Sequence, residues 1–110
     1  MTNSKSAIWN KPQPQQLAEV LISIGDQTTM QNFLRDVMTE KEITEMGARL
    51  EAAKMLTNGR TYTDITKSTK LSSRTVARIS DWLQNGCNGY AAAIKLLSAH
   101  HAHIPPARAE

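Results

Sequence analysis

The chain has 110 residues, 40% of them hydrophobic and only 5% aromatic, with a formal net charge of +3. That length fits one small domain, and a core of Leu, Ile, Met, Val and Ala favours helices over a β-sandwich. No apolar run reaches the ~18 residues needed to span a bilayer, and no apolar h-region marks a signal peptide. A modest core also favours oligomers. The first elements in chain order are polar. Residues 1–12, with Trp9 and Pro12, read as a flexible N-terminal arm suited to docking on a partner subunit. From Gln13 to Ile24 the apolar positions Leu17, Val20, Leu21 and Ile24 follow the i, i+3, i+4, i+7 rule of an amphipathic helix, which Gly25-Asp26 ends. A second short helix is expected over Thr28–Met38, with Met30, Phe33, Leu34 and Val37 on one side.

"TEKE" at Thr39–Glu42 is a capping box. The Thr39 hydroxyl can accept from the Glu42 N–H while the Glu42 carboxylate reaches back to the Thr39 N–H. The helix it starts is expected to run to about Thr57, with Ile43, Met46, Gly47, Leu50, Ala53 and Thr57 as its inner stripe, and Asn58-Gly59 as its stop. Two short helices follow, one from near Thr61 to near Lys70 and one from just after Ser72 to Leu83 or Gln84. "QNGCNGY" is a turn, and a last helix over Tyr90–His100 carries Ala93, Ile94 and Leu97 on one face. The two prolines of "HIPPARAE" stop any helix, so 101–110 reads as a flexible tail and 13–100 as the domain.

The charge is not spread evenly. Between Arg60 and Ser80 stand Arg60, Lys67, Lys70, Arg74 and Arg78 against Asp64 alone, a local +4 in a chain whose total is +3. The same segment, 61–84, has the pattern of a helix-turn-helix. Ile65 turns toward the second helix, Leu71 drops into the crease, and Val76 and Ile79 face inward one turn apart, with Trp82 and Leu83 extending that stripe. Ser72 is a good N-cap for the second helix. In such a unit the start of the second helix enters the major groove. Arg74 is placed to bind guanine with two hydrogen bonds. Thr63, Lys67 and Lys70 are expected on phosphates, and Ser72, Ser73, Thr75, Ala77 and Arg78 complete the DNA-facing set. Two positions depart from the usual pattern: Thr66 stands where Ala is common, and Lys70 where the turn favours Gly.

These motifs resemble the Trp repressor superfamily in its YerC/YecD-type branch. The resemblance spans roughly Met30–Leu97 and rests on "FLRDVMTEKEITEMGARLEAAKML", "NGRTYTDITKSTKLSSRTVARI" and "NGCNGYAAAI". It implies an all-α, Trp repressor-like multi-helical domain that forms an intertwined homodimer. The two recognition helices would then read a palindromic operator at a spacing of ~34 Å. It also implies an effector site. Thr39 and Arg49 match residues of the tryptophan pocket, and Arg78 matches its second arginine. Two residues break that pocket: Ile79 replaces a glycine, and Trp82 replaces a small hydroxyl residue. The expectation is a DNA-binding transcription regulator, a repressor, that does not depend on tryptophan. The alternative is a helical protein-interaction adaptor that docks an acidic partner with the same helix pair.

The rest of the sequence points to little chemistry. No Ser/His/Asp, paired-carboxylate or phosphate-loop pattern supports catalysis, so no enzyme is expected. His100, His101 and His103 lack a nearby carboxylate or cysteine and read as solvated rather than metal-binding. The single cysteine, Cys87, has no basic neighbour to activate it and fits a reducing cytoplasm. No cofactor or metal is expected. The expected partners are double-stranded DNA and a second copy of the chain, with no membrane.

Overall fold

The computed structural model describes residues 4–103, and side chains within 7–99. Its elements are a 3-10 helix (Ser4–Asn10), then α1 (Pro12–Ser23), α2 (Gln27–Val37), α3 (Glu40–Thr57), α4 (Tyr62–Thr69), α5 (Ser73–Asn85) and α6 (Gly89–His103). No strand occurs among the described residues, as the all-α expectation required. The chain divides into two compact units, Met1–Ile43 and Thr44–Glu110, with the division inside the first turns of α3.

In the first unit, the stretch expected as an irregular arm carries the 3-10 helix, which packs back on α1. Pro12 opens α1 at a position whose N–H would have no helical partner, so its ring costs no bond. The Ile24 N–H closes α1 on the Val20 carbonyl at 3.1 Å. Asp26 then caps α2 by accepting the Thr29 N–H at 2.9 Å. That bond to the charged form holds the Asp26 carboxyl below its usual 3.8. At the other end of α2, Arg35 donates to the Met38 carbonyl at 2.9 Å and pairs with Glu40 at 3.7 Å. The capping box is formed as the sequence requires: Thr39 N–H to Glu42 Oε1 at 2.9 Å and Glu42 N–H to Thr39 Oγ1 at 3.1 Å. No described side chain of this unit is buried. Leu17 is 47% exposed, Ile22 83% and Val37 56%.

The second unit has a core. Ala52, Ala53, Met55, Ile65, Val76 and Ile79 are buried, and Leu56, Leu71, Leu83, Tyr90 and Ile94 pack against them. The inner face of α3 differs from the expected stripe. Ala52, Ala53, Met55 and Leu56 face the core, whereas Met46 is 59% exposed and Gly47 and Thr57 are exposed. Of the expected stripe Ala53 is buried as required, while Ala52 and Met55, which it omitted, are buried beside it. The end of α3 is a Schellman stop. Arg60 N–H reaches the Met55 carbonyl and Gly59 N–H the Leu56 carbonyl, both at 3.0 Å, with Gly59 at φ 79°.

The helix-turn-helix forms within a residue or two of its expected bounds. Thr61 caps α4 by accepting the Asp64 N–H at 3.1 Å, and Ser72 caps α5 by accepting the Thr75 N–H at 3.1 Å. Ile65, Val76 and Ile79 are 0% exposed, with Leu71 half-buried in the crease between the helices. Leu83 continues the inner stripe of α5, but Trp82 does not; it stays 39% exposed. The α5 turn ends at Gly86, where a Cβ would run into the Trp82 carbonyl. The final helix packs on α5 and reaches His103, three residues past its expected end, because no breaker precedes the prolines. Residues 104–110 of the expected tail, and the side chains of His100, His101 and His103, lie outside the described residues.

Lys70 makes the turn between α4 and α5 in the left-handed conformation, φ 65° and ψ 9°, and its N–H closes α4 on the Thr66 carbonyl at 2.9 Å. A side chain with a Cβ is strained there by ~1–2 kcal/mol. Lys70→Gly is therefore expected to raise the unfolding free energy by ~1 kcal/mol, read from the urea midpoint at unchanged m-value. A lower midpoint would show that the Lys70 side chain supports the turn.

Candidate nucleic-acid interface

The outer surface of α4 and α5 is built by the same residues that the inner surface leaves over. With Ile65, Val76 and Ile79 turned inward, helical geometry turns Ser73, Arg74, Ala77 and Arg78 outward, and all four are exposed. Lys67 and Lys70 are exposed at the end of α4 and in the turn. The first turn of α4 adds Thr63, exposed, whose carbonyl accepts the Thr66 hydroxyl at 3.1 Å. Thr66, at the unusual position, thus bonds its hydroxyl locally rather than leaving it buried without a partner.

The cations of this surface have no carboxylate partner among the described residues, as is also true of Lys11, Lys41 and Lys95. Arg35, Arg49, Lys54 and Arg60 are ion-paired with Glu40, Glu45, Glu51 and Asp64, at 2.8–3.7 Å. Among the described residues no carboxylate pairs with Lys67, Lys70, Arg74 or Arg78. The Arg60–Asp64 pair at 3.4 Å cancels itself, so the local +4 resides on those four side chains. Asp81, the one carboxylate on the outer part of α5, accepts the Asn85 amide at 2.8 Å. The surface can therefore attract a polyanion without first breaking an internal pair.

The hydroxyls divide into two groups. Ser73 is exposed, while the Ser72 hydroxyl donates to Thr75 Oγ1 at 3.1 Å and also accepts the Thr75 N–H, so Ser72 and Thr75 are first of all the cap of α5. Tyr62 was missed by the sequence reading. It is 42% exposed in the first turn of α4, next to Thr63. A large aromatic directly after a capping Thr, where the inner face has already been assigned to Ile65, was the available signal.

The residues expected to touch an effector are divided between the two units. Thr39 belongs to the first unit, where its hydroxyl serves the capping box. Arg49 and Arg78 belong to the second. Arg49 is bound to Glu45 at 2.8 Å, and its Nε is buried without a hydrogen-bond partner. Its charge also reaches Tyr90 of α6: burial pushes the Tyr90 hydroxyl above its ordinary 10.0, and Arg49 pulls the other way. Arg78 is exposed on α5. Ile79, directly after it, is fully buried in the core. Among the described residues no group of His, Cys, Asp and Glu could hold a metal ion, and no helix is long and apolar enough to cross a membrane. Cys87 is exposed and free.

Known proteins share this fold. A family model described as Trp repressor protein matches residues 13–98. The chain is 34% identical over 79 residues to the uncharacterized protein YerC of Bacillus subtilis (strain 168), covering 72% of this chain and 76% of that one. The crystal structure of a TrpR-like protein from Eubacterium eligens matches with a TM-score of 0.76 at 35% identity, over 87% of this chain and 96% of the other. A solved Staphylococcus aureus structure matches with a TM-score of 0.80 over the same shares, and at 23% identity that likeness is one of fold.

Proposed function

Because this chain belongs to the Trp repressor family, on its YerC-type branch, we propose that it is a sequence-specific DNA-binding transcription regulator, acting as a repressor in the cytoplasm. It reads a palindromic operator as a homodimer. The observation that carries the reading is the outer face of the helix-turn-helix, where Lys67, Lys70, Arg74 and Arg78 are all exposed and unpaired among the described residues. Arg74 meets a base edge in the major groove. Lys67, Lys70 and Arg78 hold phosphates, helped by Thr63, Ser72, Ser73 and Thr75.

A second copy is supported by the first unit. Its 43 residues bury no described side chain, yet they expose Ile8, Trp9, Leu17, Val20, Ile22 and Val37. A segment that small does not hold itself together, and covering those side chains with a partner subunit gives it the core it lacks. The test is selection of duplexes from a random pool by the purified protein. An enriched palindrome supports both the regulator and the dimer. A pool that emerges unenriched overturns the reading.

The regulator works without tryptophan. Thr39 is used by its cap, Arg49 by Glu45, and Ile79 fills core space where the resemblance places a glycine. Calorimetry with L-tryptophan is expected to give no heat of binding at micromolar ligand. Micromolar binding that tightens the operator complex would show the pocket to be intact.

A further inference from the structure

Arg74 and Ala77 stand three residues apart on the exposed side of α5. Three residues are ~4.5 Å of helix rise and return to nearly the same face. Neighbouring base pairs are ~3.4 Å apart. A helix lying in the major groove therefore presents these two side chains to adjacent base pairs.

The two ask for different things. Arg74 carries a rigid fork of N–H donors that matches O6 and N7 of guanine, and no carboxylate in the described chain holds it back. Ala77 offers one methyl group and no hydrogen bond; its counterpart in the groove is the C5-methyl of thymine. Asp81, one turn further along, would suit a cytosine amino group, but its carboxylate is engaged by Asn85. Ser73 is small and commits to no single base.

We infer that each operator half-site contains a guanine with a thymine in the adjacent base pair, the guanine read by Arg74 and the thymine methyl by Ala77. This rests on the DNA-binding reading above and names the bases that reading leaves open. Neither side chain is buried or caps a helix, so both are free to set specificity without altering the fold.

The test starts from the duplex enriched by the full-length protein. It is then remade with 7-deazaguanine for the guanine, which removes N7, and separately with uracil for the thymine, which removes only the methyl. The first change should weaken binding by about tenfold or more. The second should weaken it by about fourfold, the worth of one buried methyl group. Arg74→Ala should bind the guanine and 7-deazaguanine duplexes equally. Because both base changes are read with the unaltered protein, no variant needs to fold for the outcome to count. An enriched palindrome lacking adjacent G·C and T·A pairs, or one indifferent to both base changes, overturns this inference and leaves the regulator standing. A pool with no enrichment ends both.

Discussion

Ile79→Ala should lower the unfolding free energy by ~2–5 kcal/mol, a loss matched in the α4–α5 pair only by truncation of the equally buried Ile65. Ile79 is 0% exposed and lies among Ala52, Ala53, Met55, Ile65 and Val76. Three of these five neighbours are small or cannot extend to fill a gap: Ala52 and Ala53 have no side-chain reach, and Val76 is branched at Cβ. The cavity left by three carbons would stay largely open, which places the cost in the upper part of the range. A small domain has ~5–15 kcal/mol of stability in all. Thermal unfolding followed by circular dichroism should therefore shift down by about 8 °C or more at fixed protein concentration. Ser68→Ala, at an exposed site on α4, is the control and should stay within ~0.5 kcal/mol. A shift at Ile79 no larger than at Ser68 would show that α5 is not seated as described.

The second large effect is on DNA. On the proposed reading, three backbone-facing cations per protomer, Lys67, Lys70 and Arg78, would give six in a two-fold complex. Each phosphate neutralised releases counterions with a log–log slope of about −0.9, so affinity should fall roughly a thousandfold between 50 and 200 mM salt. The absence of internal ion pairs at these side chains matters here. A cation already paired would have to exchange one carboxylate for a phosphate, and its contribution to the slope would shrink. Lys70→Gly removes one contact from each half, so the slope should become shallower by about 2 even though the fold becomes more stable. Fluorescence anisotropy titrations across salt concentration measure this directly. A flat salt response would favour a protein-docking role for the same helix pair. An unchanged slope in Lys70→Gly would mean that the turn does not approach the phosphates.

How far the sequence carried depended on the kind of signal. Local bonds were largely legible. The capping box at Thr39–Glu42, the Ser72 cap and the Gly59 stop each form with the partners that their spacing names, because a cap involves residues three or four apart and nothing else; the Asp26 cap of α2 was not expected. The inner residues of the helix-turn-helix were legible for a related reason: large aliphatics at fixed spacing leave one way to close the pair. The inner face of α3 was legible only in part: Ala53 was on the expected stripe, but Ala52 and Met55 join the core without having been on it, and Met46 does not. Trp82 was misjudged on the same account, since a bulky apolar residue next to a stripe need not join it.

Of the candidate site, the residue types, charge and helix faces were written in the chain, since an amphipathic helix fixes its outer face once its inner face is known. Which cations are available follows from near neighbours too, since the Arg49–Glu45 and Arg60–Asp64 pairs each join residues four apart. Arg60 and Arg74 are equivalent in composition, but Asp64 lies within 3.4 Å of the first and no carboxylate pairs with the second. Arg49 and Arg78, equal partners in the resemblance, part for the same reason, one held by Glu45 and the other exposed. Sequence alone determined the helices, their caps and the identity of the charged face, because those follow from neighbours along the chain. The tertiary structure decided which residues of α3 are core and that Trp82 stays off the inner stripe of α5, because each depends on groups far apart in the chain that only packing brings together.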